Sequence, residues 1–109
     1  MSQVEYTDNE YFNASLSQVM SQVVSQVEGL DLRLVTEVFI SLQEAKTLAE
    51  LMTEFKQVNR GRFKSNTLDI LIRAGLATPT IPDKPNSRFQ KYVLTEKGRE
   101  LIRVAALSS

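Results

Sequence analysis

The stretch TIPDKPNSRFQKYVLTEKGREL, Thr80 to Leu101, decides how this chain is read. It holds two of the three prolines and five of the thirteen Lys/Arg residues, and it runs from a turn-rich loop through a strand into a helix. In FQKYVLT the residues alternate, with Gln90, Tyr92 and Leu94 on one side and Phe89, Lys91 and Val93 on the other, the period of a half-buried strand. Its partner is the short strand LATPTI. Pro79 and Pro82 have opposite parity and neither has an N–H for a ladder, so pairing must fail before or around Pro82. PDKPNSR is then a loop, stiffened where Pro82 and Pro85 fix φ and turned by Asn86-Ser87. Thr95 caps a closing helix over about 96–107 that turns Leu101, Ile102 and Ala105 inward.

Working back from this hairpin, three helices precede it. Asp31 is the N-cap of a helix over about 32–43, in which Val35, Val38, Phe39 and Leu42 recur at i, i+3, i+4 and i+7. Thr47 with Glu50 three residues on forms a capping box for a short second helix ending near Phe55. Asn59 caps the third, and Gly75 is its C′ residue. On a helical wheel Thr67, Ile70, Leu71 and Ala74 fall within about 80 degrees of Phe63. Arg62, Ser65, Asn66, Asp69 and Arg73 gather on the opposite arc. The order helix, helix, helix, strand, strand, helix predicts a mainly α domain with a two-stranded β-hairpin (α+β), a winged helix-turn-helix over residues 30–109.

Residues 1–29 read as an N-terminal arm. SLSQVMSQVVSQVEG repeats Ser-Gln-Val three times, and Leu16, Met20, Val23, Val27, Leu30 and Leu34 trace a heptad seam. Such a seam suits a homodimer through the arm or a link to an upstream effector domain. The alternative is a polar tether that orders only against its own domain.

Composition narrows the chemistry. With no cysteine there is no disulfide framework and no thiolate; with no histidine the usual general base and the commonest metal ligand are missing. Glu44, Glu50 and Glu54 could pair as carboxylates, but they read as solvated helix surface. A protein that is not an enzyme and needs no metal or cofactor is expected. No apolar run approaches the roughly 20 residues of a membrane span, and the N-terminus lacks the basic and apolar regions of a signal peptide, so a cytoplasmic location is expected. A net charge of zero hides a split. Residues 1–58 carry three basic residues against nine acids, a balance of −6, and residues 59–109 carry ten against four, a balance of +6. The two halves either complement each other within the fold or offer a polyanion a basic surface.

In a winged helix the third helix enters the major groove and the wing lies along phosphates. That geometry would bring Arg60, Arg62, Lys64, Ser65 and Asn66 of the helix, with Lys84, Asn86, Ser87, Arg88 and Lys91 of the wing, to double-stranded DNA. Arginine and asparagine are suited to bidentate contacts with guanine and adenine edges. Asp69 on the same arc, and the apolar Val93 beside Lys91, favour instead a protein–protein interaction or dimerisation module.

The run NRGRFKSNTLDILIRAGLATPTIPDKPNSRFQKYVLTEKG resembles the C-terminal winged-helix domain of Fic-family proteins (filamentation induced by cAMP). The same domain ends predicted transcriptional regulators that carry a Schlafen-like ATP-binding N-terminal domain. The shared marks are Arg60 with Phe63, AGL at Ala74–Leu76, and above all TIPDKPNSRFQKY followed by LTEKG. The resemblance implies DNA binding in transcriptional control and a chain that is a fragment of, or a domain released from, a larger protein. AMP transfer does not carry over, because the catalytic Fic motif needs histidine. Relatives often read Tyr-Leu-x-Pro-Leu in the third helix, where this chain has TLDIL, so a less kinked helix is expected from Thr67 onward.

Overall fold

The computed structural model describes residues 16, 18, 20–22 and 31–108. Over residues 31–108 five helices and three strands follow one another: α1 Leu32–Ser41, β1 Lys46–Thr47, α2 Leu48–Glu54, α3 Arg60–Asn66, α4 Leu68–Arg73, β2 Ala77–Pro79, β3 Lys91–Leu94 and α5 Glu96–Ser108. The fold is α+β, mainly helical, with a small antiparallel sheet in the order β1-β3-β2. Residues 16, 18 and 20–22 are helical as well.

The expected caps are made. Asp31 Oδ1 accepts from the Leu34 N–H at 3.1 Å, and Asn59 Oδ1 from the Arg62 N–H at 2.9 Å. The Thr47–Glu50 box closes in both directions, at 2.8 and 3.1 Å. Each contact satisfies a donor that the first helical turn leaves open. Gly75, at φ +77, ends α4 in the left-handed conformation. There the Leu76 N–H reaches Leu71 O and the Gly75 N–H reaches Ile72 O, the paired bonds of a Schellman motif. Lys56 does the same work at the end of α2 with φ 55, an unfavourable conformation for a residue with a Cβ. The Gln57 N–H to Met52 O and the Lys56 N–H to Thr53 O complete that second motif.

Two expectations need correcting. The sheet has a third strand: β1 pairs with β3 in the register Lys46↔Tyr92 and Thr47↔Lys91. Two residues carry no readable alternation, and Thr47 ends the strand while capping α2, so its capping signature hid its place in the sheet. The third helix is not continuous either, since it breaks at Thr67, with φ −133 and ψ −75. The fully buried Thr67 hydroxyl donates to Phe63 O at 2.6 Å, the back-bonding by which threonine competes with helical backbone geometry. The missing proline therefore does not straighten this element, because a buried hydroxyl interrupts it.

The hairpin ladder ends where proline requires. Pro79 pairs opposite Tyr92, and the next residue, Thr80, donates its N–H to Lys91 O at 2.8 Å. By alternation the nitrogen of Pro79 faces the open edge of the sheet, where its lack of a hydrogen costs nothing.

The core draws on every helix. Phe39 and Val38 of α1, Leu51 of α2, Phe63 of α3, Leu71 of α4, Leu94 of β3 and Ala105 of α5 belong to one buried cluster. Each large side chain so buried is worth about 1.5–3 kcal/mol relative to exposure. Leu16 and Met20 are fully buried in that same cluster. The other arm seam positions, Val23, Val27 and Leu30, lie outside the described residues. Leu34 is only partly buried and packs against the cluster.

Candidate functional site

The loop between β2 and β3 is compact. Three turns follow one another, closed by Lys84 N–H to Ile81 O at 3.0 Å, Ser87 N–H to Lys84 O at 3.1 Å and Gln90 N–H to Ser87 O at 3.0 Å. Pro82 and Pro85 occupy the second position of the first two turns, where their fixed φ is pre-set for the geometry. The turns wrap around one side chain. The carboxamide of Gln90 accepts from the Ile81 N–H at 2.8 Å and donates to Ile81 O at 2.6 Å and Lys84 O at 3.1 Å. Gln90 is 4% exposed, so its amide is a buried polar group that the loop backbone fully engages.

This fold holds Pro82–Asn86, Arg88 and Phe89 in solvent while Gln90 anchors the base. The Arg88 guanidinium lies over the Phe89 ring, 5.0 Å from its centroid, within cation–π range. Phe89 itself stays 66% exposed.

Across from the loop stands α3. A cleft of about 380 Å³ separates them, with Arg60 and Lys64 on the helix side and Pro85, Asn86, Ser87 and Arg88 on the loop side. Thr47, Leu48 and Ala49 at the start of α2 close it, with Gln90 and Tyr92 from the sheet end. Of the ten residues singled out in the sequence, Arg60, Lys64, Asn86, Ser87 and Arg88 share this cleft. Arg62, Ser65 and Asn66 are exposed on α3 outside its lining, as are Lys84 on the loop and Lys91 on β3. Val93, opposite Thr78, is half-buried.

Lys64 has a partner. Its Nζ donates to Asp69 Oδ1 at 2.9 Å, with the two side chains 38% and 30% exposed. Beside the cleft, the capping carboxylate of Glu50 is held below the ordinary glutamate range by the Thr47 N–H and hydroxyl, with Lys91 and Lys46 adding positive charge. At the C-terminal end of α2, Glu54 is also lowered, chiefly by the hydrogen bond from Lys46 at 2.9 Å and further by one from the Ser41 hydroxyl. These two glutamates are structural acceptors already engaged. Among the described residues no group of three or more Asp and Glu side chains is placed to hold a metal ion, and no helix is long and apolar enough to cross a membrane.

Sequence reasoning missed two functional parts of this site. Gln90 shares its side of the strand with Tyr92 and Leu94, the side the fold buries, and a polar residue there must find partners. The parity was the available signal for the loop staple. The Lys64–Asp69 pair had none, because residues five apart stand about 140 degrees apart on an unbroken helix.

Residues 33–95 match the family described as filamentation induced by cAMP protein Fic-like, C-terminal domain. No curated protein and no solved structure matches the chain.

Proposed function

Since this chain belongs to the family of Fic-like C-terminal domains, we propose that it is a non-enzymatic winged-helix module that binds double-stranded DNA, working in the cytoplasm in transcriptional control. In this reading α2 and α3 form the helix-turn-helix and the folded β2–β3 loop is the wing. The observation that carries it is the shared cleft, which Arg60 of α3 and Arg88 of the loop both line. Two guanidiniums held by different elements, with Ser87 and Asn86 in the same lining, suit a phosphate backbone passing between helix and loop. Ser65 and Asn66, exposed on α3, are then the side chains available to base edges.

Leu16 and Met20 already sit in the core of this chain. The proposal is therefore for one module acting beside an upstream effector domain rather than for a dimer through that seam. A second reading, docking onto a protein partner, draws on Phe89, which is large, apolar and 66% exposed.

The test is the affinity for a labelled duplex measured across salt. If Arg60, Arg62, Lys84, Arg88 and Lys91 each neutralise one phosphate, log affinity falls with log salt at a slope of about −4.5. Arg60→Glu together with Arg88→Glu should abolish binding without altering the far-ultraviolet circular dichroism. Undetectable binding at 50 mM salt, about the low end of the usual range, would refute the proposal. Loss on Phe89→Ala of a partner that survives the two charge reversals would favour the second reading.

A further inference from the structure

Lys64 stands in the cleft and yet spends its ammonium on Asp69. The pairing exists because of the helix break. In a continuous helix, positions five apart lie about 140 degrees apart and roughly 7.5 Å along the axis, and their side chains diverge. The turn in the backbone at Thr67 brings them together, giving 2.9 Å between Lys64 Nζ and Asp69 Oδ1. Thr67 is in turn held by its hydroxyl on Phe63 O and by full burial. The break and the ion pair thus form one device, placed on a wall of the cleft.

We propose that Asp69 is a built-in competitor for phosphate: it holds Lys64 back from the anion that Arg60 and Arg88 engage, and so sets the affinity of the cleft. This rests on the reading of the cleft as a phosphate seat. The chemistry is ordinary exchange of one anion for another on a lysine. A pair about one-third exposed, with a single hydrogen bond, is weak enough to be exchanged and strong enough to matter. Lys64 is the cation so restrained, whereas Arg60 and Arg88 have no carboxylate in any salt bridge among the described residues. Removing the Asp69 charge should free the ammonium for one more phosphate.

The experiment compares the full chain with Asp69→Asn, Lys64→Gln and the double variant, using a short labelled duplex at 50 to 200 mM salt and, separately, inorganic pyrophosphate followed by the amide resonances of Asn86, Ser87 and Arg88. Asp69→Asn is expected to tighten duplex binding by at least about threefold at the low salt and to steepen the salt slope by about 0.9, one additional phosphate contact. Across that fourfold range of salt the advantage should shrink by about 3.5-fold. In the Lys64→Gln background the same substitution should leave the slope unchanged.

That background separates release of Lys64 from a general loss of negative charge. An equal gain with and without Lys64, or no gain at all, overturns the inference while leaving duplex binding intact. If neither protein binds duplex, the DNA reading falls, and pyrophosphate decides the competitor by itself. Tighter pyrophosphate binding by Asp69→Asn only when Lys64 is present upholds it, and identical titrations sink it.

Discussion

Replacing Gly98 by alanine sets two well-understood effects against each other. Gly98 lies in the first turn of α5, where it is buried against the end of the α4–β2 connection. Helix propensity alone favours alanine there by about 0.8–1.0 kcal/mol. Packing opposes it. A β-carbon on Gly98 would approach Leu76 O closer than 3.0 Å, a separation real β-carbons essentially never show, and would sit 3.3 Å from Phe39 Cε1. The oxygen cannot step aside freely, because it accepts the Thr95 N–H at 3.0 Å. Nor can α5 simply lift. The Thr95 hydroxyl donates to Gly75 O at 2.6 Å, and Lys97 Nζ donates to Ala74 O at 3.2 Å.

Overpacking of this kind costs about 1–3 kcal/mol, and loosening two junction hydrogen bonds adds about 0.5–1.5 kcal/mol each. Set against the propensity gain, the net loss should be about 3 kcal/mol, which for a domain of this size lowers Tm by about 12–24 °C. Thermal and urea unfolding followed by far-ultraviolet circular dichroism measure it directly. Gly61 in α3 is the control, since a β-carbon there would have only Asn59 Oδ1 nearby, at 4.0 Å. Gly61→Ala should be neutral or mildly stabilising. A Gly98→Ala protein with unchanged or raised Tm would refute the claim that the α4–α5 contact is closed by the absence of a side chain.

Gln90→Ala should cost about 1–3 kcal/mol, because the Ile81 and Lys84 backbone groups lose a buried partner, and limited proteolysis between residues 82 and 89 should then be faster than in the wild type. Lys56→Gly should raise stability by about 0.5–1 kcal/mol in urea unfolding, by relieving a left-handed residue of its Cβ. For Glu50 the folded-state pKa is lowered, so its stabilisation is complete above the unfolded value and is lost as pH falls through the folded one. The stability advantage of wild type over Glu50→Gln should accordingly hold at neutral pH, begin to shrink near the ordinary glutamate value of about 4.3, and vanish below the folded value.

Much of the fold was legible because its signals are local. Asp31, Thr47 with Glu50, Asn59 and Gly75 each act within one helical turn, and each does in the structure what its residue type prescribes. The alternation from Phe89 to Leu94 likewise separated Gln90, Tyr92 and Leu94, all buried, from exposed Phe89 and Lys91. What escaped depends on contacts remote in sequence. β1 is a strand only because β3 lies beside it, some 45 residues away, and two residues have no pattern of their own. The need for glycine at position 98 is set by the carbonyl of Leu76, on the other side of the hairpin.

The charges of the candidate site show the same division with a consequence for function. Counting residues placed ten cations in the second half of the chain and treated them as equivalent. In the structure Lys64 is tied to Asp69 and Lys97 Nζ is bonded to the Ala74 carbonyl, so neither is as available as its formal charge suggests. Arg60 and Arg88, by contrast, line one cleft with no carboxylate among its lining residues. A polyanion would therefore meet a surface graded by what each cation already holds. At Lys64 the grading is set by a backbone break at one threonine, which moves Asp69 from the open arc of a helix to the side of a lysine five residues earlier. A substitution at Thr67 that restored a continuous helix would separate that pair and change the anion affinity of the cleft without altering any charge.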